Sequence, residues 1–180
     1  MLSTPGPHIA KGDVNNDGLE DLYICGAKDQ PGALYRQTKG GRFVKSTEAL
    51  LESDKGSEDT DALFFDADGD GDQDLYVCSG GNEFSPNAAA LVDRLYINNG
   101  KGAFSKVPQV LPSPYIFESS SCASAGDYDG DGDLDLFVGG RVVPGQYPMP
   151  PESYLLVNEG GKFTNRTEEL APDLTYAGMI

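Results

Sequence analysis

Three acidic loops of one pattern, strand-length apolar runs after each, and no sustained 3.6-residue apolar period together predict an all-β fold. The class is a partial β-propeller: about three four-stranded antiparallel blades with an acidic loop in each. The loops align without gaps as Asp13-Val-Asn-Asn-Asp-Gly-Leu-Glu-Asp21, Asp66-Ala-Asp-Gly-Asp-Gly-Asp-Gln-Asp74 and Asp127-Tyr-Asp-Gly-Asp-Gly-Asp-Leu-Asp135. The shared pattern is D-x-[DN]-x-D-G-x-x-D.

Each loop leads into an apolar run: Leu22-Tyr-Ile-Cys25, Leu75-Tyr-Val-Cys78 and Leu136-Phe-Val138. A second pair of runs follows, Leu34-Tyr35 to Phe43, Leu95 to Phe104 and Leu155 to Phe163, joined by Gly- and Asn-rich turns that read as hairpins. A further strand precedes each loop, clearest at Ala62-Leu-Phe-Phe65 and Ala123-Ser-Ala-Gly126. Phe43 lies 23 residues before Asp66, and Phe104 lies 23 before Asp127. The units span 7–50, 58–110 and 119–168, and 169–180 is read as the start of a fourth blade. Short helical turns are expected only around 46–52 and 87–92.

Twenty-nine Asp and Glu against 13 Lys and Arg leave a formal net charge of −16. Such a surface repels nucleic acid and anionic membranes and suits cations. No apolar run approaches the ~18 residues of a membrane span, and Met1–Lys11 has neither the basic nor the apolar region of a signal peptide. Three cysteines cannot all pair within one chain. Cys25 and Cys78 hold the same place in two units and read as small buried packing residues.

Five acidic or amide side chains within nine residues repel one another unless a hard cation compensates, and calcium takes six to eight oxygens. Side chains at loop positions 1, 3 and 5 converge, Gly at position 6 permits the sharp turn, position 7 offers its carbonyl, and position 9 closes the shell. Site one is then Asp13, Asn15, Asp17, the Leu19 carbonyl and Asp21. Site two is Asp66, Asp68, Asp70, the Asp72 carbonyl and Asp74. Site three is Asp127, Asp129, Asp131, the Asp133 carbonyl and Asp135. Position 12, where an EF-hand has its bidentate Glu, is Ile24, Val77 or Val138 inside a β-type run, so these loops are not EF-hands. Glu20 and Gln73 at position 8 are expected to face solvent.

The loop followed by [YF]-[IV] and a hairpin ending in Phe resembles the FG-GAP/VCBS repeat, across residues 8–167. The segments GDVNNDGLEDLYICGA, DADGDGDQDLYVCSGGNEF and GDYDGDGDLDLFVGGRVVPGQYP are most similar to bacterial VCBS proteins of the ASPIC/UnbV type. The resemblance implies integrin α-like propeller blades, loop calcium, and a secreted, periplasmic or cell-surface protein that binds proteins or glycans. Two departures stand out: Asn15 replaces an Asp, and the Gly-Ala-Pro element survives only as Gly26-Ala27 before Lys28.

No G-x-S-x-G, H-E-x-x-H, C-x-x-C or P-loop spacing occurs, and His8 is the single histidine, so catalysis is not expected. The exception kept open is a carbohydrate-active propeller with an acid pair outside the loops, such as Glu83 with Glu152. The connection after the second run lengthens in units two and three, and insertions at one place in a blade lie on one face. Phe84, Arg141 and Tyr147 are the candidate ligand contacts there. The expected role is a calcium-binding interaction or adhesion module, with a glycan-binding or glycan-degrading propeller as alternative. Without a bidentate Glu the sites are expected to be as weak as those of extracellular modules, about 10⁻⁴ to 10⁻³ M; such sites stay filled outside the cytoplasm, so a leader left out of the sequence is expected. An arc of three blades cannot close a ring. Self-association through its open, apolar blade faces is therefore expected.

Overall fold

The computed structural model describes residues 8–46 and 49–177. Three four-stranded antiparallel sheets follow one another along the chain, each with its strands in sequence order. The first holds β1 (Ile9–Gly12), β2 (Asp21–Ile24), β3 (Ala33–Gln37) and β4 (Phe43–Lys45). The second holds β5 (Glu58–Phe65), β6 (Asp74–Gly80), β7 (Arg94–Asn98) and β8 (Phe104–Lys106). The third holds β9 (Ser119–Gly126), β10 (Asp135–Val142), β11 (Tyr154–Asn158) and β12 (Phe163–Asn165). These are the blades of a partial propeller, as the loop-and-run pattern predicts. First strands lie side by side, β1 against β5 and β5 against β9, which stacks the sheets face to face.

The period-2 alternation of each strand decides which neighbour a side chain meets. Tyr23 of β2 and Cys25 just after it point into the seam with blade 2; in β6, Leu75 and Val77 answer them from the other side. The opposite face of β6, Tyr76 and Cys78, enters the seam with blade 3, where Leu136 and Val138 of β10 meet it. The core is therefore two interblade layers rather than one centre. Cys25 and Cys78 occupy equivalent places in these layers, and Cys25, Cys78 and Cys122 are all free thiols. Burial pushes the Cys25 thiol up to about 12, as expected for a packing residue rather than a nucleophile.

The Phe that ends each hairpin faces the preceding blade. Phe163 packs into the seam between blades 2 and 3 at 3% exposure, whereas Phe43, at the outward side of blade 1, is 45% exposed. Ile9, on the first strand of the same blade, is exposed as well.

The turn expected around 46–52 is α1 (Ala49–Ser53), and that around 87–92 is a 3-10 turn over Ala89–Leu91. One helix was not anticipated. A single turn, α2 (Thr167–Leu170), follows β12 as α1 follows β4, and a 3-10 turn over Pro172–Leu174 comes next. Residues 169–177 form this docked connection, with the Thr175 carbonyl accepting from the Ser153 N–H at 3.0 Å. Phe43 precedes the start of β5 by 15 residues, and Phe104 precedes the start of β9 by 15. The same offset from Phe163 falls at 178, so the expected start of a fourth blade lies outside the described residues. No helix among the described residues is long and apolar enough to cross a membrane.

Candidate metal centres

Each acidic loop links the first strand of a blade to the second, so all three lie at the same end of their blades. Two places in the loop demand left-handed backbone. Position 6 is Gly18, Gly71 and Gly132, with φ of 82°, 87° and 101°. Position 4 is Gly69 and Gly130 in the later loops, and in loop one Asn16 adopts φ 56° there, which Asn tolerates better than most residues.

The loop is then wound around its own carboxylates. The position-1 Asp accepts from the position-6 N–H: Gly18 to Asp13 Oδ2 at 2.7 Å, Gly71 to Asp66 Oδ2 at 3.0 Å and Gly132 to Asp127 Oδ2 at 3.2 Å. The position-5 Asp accepts from the position-7 N–H at 2.9 Å in all three: Leu19 to Asp17, Asp72 to Asp70 and Asp133 to Asp131. Position 9 is the buried member. Asp21, Asp74 and Asp135 are 0%, 0% and 2% exposed, and each binds two backbone N–H groups. One oxygen accepts from position 2, as Val14 to Asp21 Oδ2, Ala67 to Asp74 Oδ2 and Tyr128 to Asp135 Oδ2. The other accepts from the end of the third strand, as Gln37, Asn98 and Asn158.

Carboxylate oxygens of Asp66, Asp68 and Asp74 lie within 4.8 Å of one another, and so do those of Asp127, Asp129 and Asp135. These are positions 1, 3 and 9. An all-oxygen donor set gathered at this distance could hold a hard metal ion. In loop one the third position is Asn15, whose amide donates to Asp17 Oδ2 at 3.1 Å. That contact tempers the repulsion inside loop one. In loop two it is not tempered: burial, reinforced by the charges of Asp68 and Asp70, pushes Asp74 up to about 6, against the N–H groups of Asn98 and Ala67. Burial raises Asp21 and Asp68 in the same direction. A cation reverses this, because it stabilises the ionised form of every ligand.

The family profile of the FG-GAP-like repeat matches residues 13–77 and 66–138. The chain belongs to the FG-GAP-like repeat family. Each FG-GAP match begins at the first Asp of one loop and ends in the second strand of the next blade, so the family unit spans a blade seam. No curated protein matches the chain.

Of the other sequence-selected residues, the structure gathers some and separates others. Phe84 lies beneath Lys28, whose Nζ stands 5.1 Å from the ring centroid. Glu58, the first residue of β5, feels the charges of Glu83, Arg141 and Lys28. The inserted connections of blades 2 and 3 meet where the Gly145 N–H donates to Asn82 Oδ1 at 3.3 Å. Phe84 and Arg141 therefore belong to one mixed-charge region at the end opposite the loops, while Tyr147 stands out in solvent at 66% exposure. Glu83 and Glu152 answer to different neighbours: Glu83 to Glu58, and Glu152 to Glu118 and the Tyr176 hydroxyl.

At position 8, Glu20 faces solvent and pairs with Lys11. Gln73 does not face solvent as expected. Its side chain turns into the seam against Gly12, where Oε1 is buried without a partner. The lack of a Cβ at Gly12 makes the room. Asn98 and Asn158 end their apolar runs and carry no site signal in the sequence. Both are buried, with side-chain amides that cross the seam.

Proposed function

We propose that this FG-GAP chain is a calcium-binding propeller module that serves protein interaction or adhesion outside the cytoplasm, of the bacterial VCBS kind. The observation that carries this reading is the threefold repetition of one loop geometry, with positions 1, 3 and 9 converging wherever all three are Asp. Thirteen basic against 29 acidic residues add a field that concentrates cations. Asp13, Asn15, Asp17, the Leu19 carbonyl and Asp21, with their counterparts in loops two and three, are the assigned ligands. Without a bidentate Glu the affinity should be that of extracellular modules, about 10⁻⁴ to 10⁻³ M. The periplasm, the cell surface or the external medium supplies calcium at that level.

A rival reading takes the inserted connections as a glycan platform, supported by the exposed Tyr147. A glycan array with wild type and Tyr147→Ala separates the two. For the leading reading, ions that bind the native loops and hardly bind the unfolded chain must raise stability. The melting temperature should rise when chelator is replaced by millimolar calcium, and an unchanged curve would refute calcium binding.

A further inference from the structure

The three loops are joined by one buried line of hydrogen bonds. It starts at Asp21, whose Oδ2 accepts the Val14 N–H at 3.2 Å. The Val14 carbonyl accepts from Asn98 Nδ2 at 2.7 Å, across the seam between blades 1 and 2. The Asn98 backbone N–H donates to Asp74 Oδ1 at 2.7 Å. Asp74 Oδ2 accepts the Ala67 N–H at 2.8 Å. The next seam repeats the pattern: Asn158 Nδ2 donates to the Ala67 carbonyl at 2.8 Å, and the Asn158 N–H to Asp135 Oδ1 at 2.8 Å. Asp135 Oδ2 closes the line on the Tyr128 N–H at 2.8 Å. All three ninth-position carboxylates are thus on one chain of contacts, and residue 2 of each of the first two loops is held by the following blade.

Each bridging amide also binds its own loop. The second Nδ2 hydrogen goes to the Gln73 carbonyl from Asn98, and to the Leu134 carbonyl from Asn158, both at 3.0 Å. Those carbonyls precede the closing Asp, while the Val14 and Ala67 carbonyls sit between the first and third ligand positions of the neighbouring loop. The Oδ1 atoms are spent as well, accepting from Gly102 in one case and Gly161 in the other. Only Asn offers two donors and an acceptor at this reach: Asp has no N–H to give.

We propose that Asn98 and Asn158 are positioning residues that couple neighbouring cation loops, so that loading one loop raises the affinity of the next. This rests on the loops binding calcium. Ordering loop two fixes the Ala67 peptide, hence the Asn158 amide and the Leu134 peptide beside Asp135, and loop three then has less to order when it binds. Plain Coulomb repulsion between bound cations predicts the opposite sign, so the sign of the coupling is diagnostic.

The amides of Gly18, Gly71 and Gly132 report each loop separately in an NMR titration of the full chain with calcium. Asp129→Ala removes an exposed ligand from loop three and leaves both Asn bridges in place. It should raise the calcium concentration that half-saturates the Gly71 signal by at least about 5-fold and shift Gly18 less, since Gly18 lies one bridge further along. In an Asn158→Ala background the same substitution should leave Gly71 unmoved. If Asn158→Ala fails to fold, the graded response of Gly71 and Gly18 in Asp129→Ala alone decides. Gly71 titrating as in wild type, or more tightly, overturns the coupling while calcium binding stands. Glycine signals that ignore calcium altogether overturn both.

Discussion

In the seam between blades 1 and 2, the buried hydroxyl of Tyr23 donates to Asp59 Oδ2 at 2.8 Å; in the seam between blades 2 and 3, the equivalent Tyr76 donates to Asp93 Oδ2 at 2.8 Å. Each Asp also takes a backbone N–H from the end of the second strand, Gly26 or Ser79. The two acids come from opposite sides. Asp59 belongs to blade 2 and reaches back to blade 1, where the facing position is Gly32, too close to Tyr23 and Asp59 to carry a Cβ. Asp93 belongs to blade 2 as well but reaches forward, and the place that matches Asp59 in blade 3 is Ser120, which donates to Asp93 at 2.9 Å. A small residue on one side thus accompanies an acid on the other. In blade 3 the position of the two tyrosines is Phe137, which needs no acceptor.

The compensation differs too. Asp59 has a cation: Arg94 Nη2 donates to Oδ1 at 2.6 Å, with both side chains 5% exposed or less. Arg94 Nε is held by Ser79 Oγ. Asp93 has only neutral donors in contact, and burial pushes it up to about 7 despite the Ser79 N–H, the Tyr76 and Ser120 hydroxyls and the more distant charge of Arg94. The acid at one seam is compensated by an arginine of its own blade and the acid at the other titrates, which makes the seams separable by mutation and by pH.

The largest effect is expected at the charge pair. Asp59→Ala strands a buried Arg94 and removes the acceptor of Tyr23 and Gly26, so it should cost about 3–5 kcal/mol in urea unfolding. Asp59→Ala with Arg94→Met should cost less than Asp59→Ala alone, because the orphaned charge is gone. A single-variant loss below about 1 kcal/mol would mean that solvent reaches Arg94.

The second effect follows from the titrating acid. In the unfolded chain Asp93 returns to its ordinary 3.8, so at intermediate pH the folded protein holds a proton that the unfolded chain lacks. Its contribution to stability is full below about 3.8 and is lost as pH rises through about 7. Asp74, raised to about 6, has the same sign, but wild type and Asp93→Asn share it, so its contribution cancels in the comparison. Wild type should lose roughly 2 kcal/mol relative to Asp93→Asn between about pH 5 and pH 8. Parallel pH curves would contradict a titrating Asp93.

Much of this architecture is legible in the sequence, because its signals are local. The loops announce themselves through Asp spacing and Gly at position 6, and the strands through apolar runs closed by Asn and Gly. The short helix α2 escaped because Thr167-Glu-Glu-Leu170 is one turn, too short for a 3.6-residue period to show. The seam acids escaped for another reason: their meaning lies in a neighbour tens of residues away. Arg94 opens an apolar run, an odd place for an exposed charge, and the repeat alignment sets Gly32 against Asp93 and Asp59 against Ser120. Those pairings become readable only once the blades are known to face each other. The same holds for Asn98 and Asn158, which end their runs as ordinary turn residues do and reveal their bridging only through the carbonyls of another loop.

The smallest effect sharpens the contrast between seams most directly. Tyr23→Phe and Tyr76→Phe each delete one hydroxyl, and a typical buried hydrogen bond is worth about 0.5–1.5 kcal/mol. After Tyr23→Phe, Asp59 still holds Arg94 and the Gly26 N–H, so its charge remains compensated and the loss should be the same at pH values on either side of 7. After Tyr76→Phe, Asp93 keeps only the Ser79 N–H and the Ser120 hydroxyl. The ionised form is then stabilised less, Asp93 moves further up, and the cost should grow with pH. Melting each variant beside wild type in calcium at about pH 5 and about pH 8 tests this. A cost for Tyr76→Phe that is equal at both pH values would show that Asp93 does not change charge there, and that the two seams differ in connectivity alone.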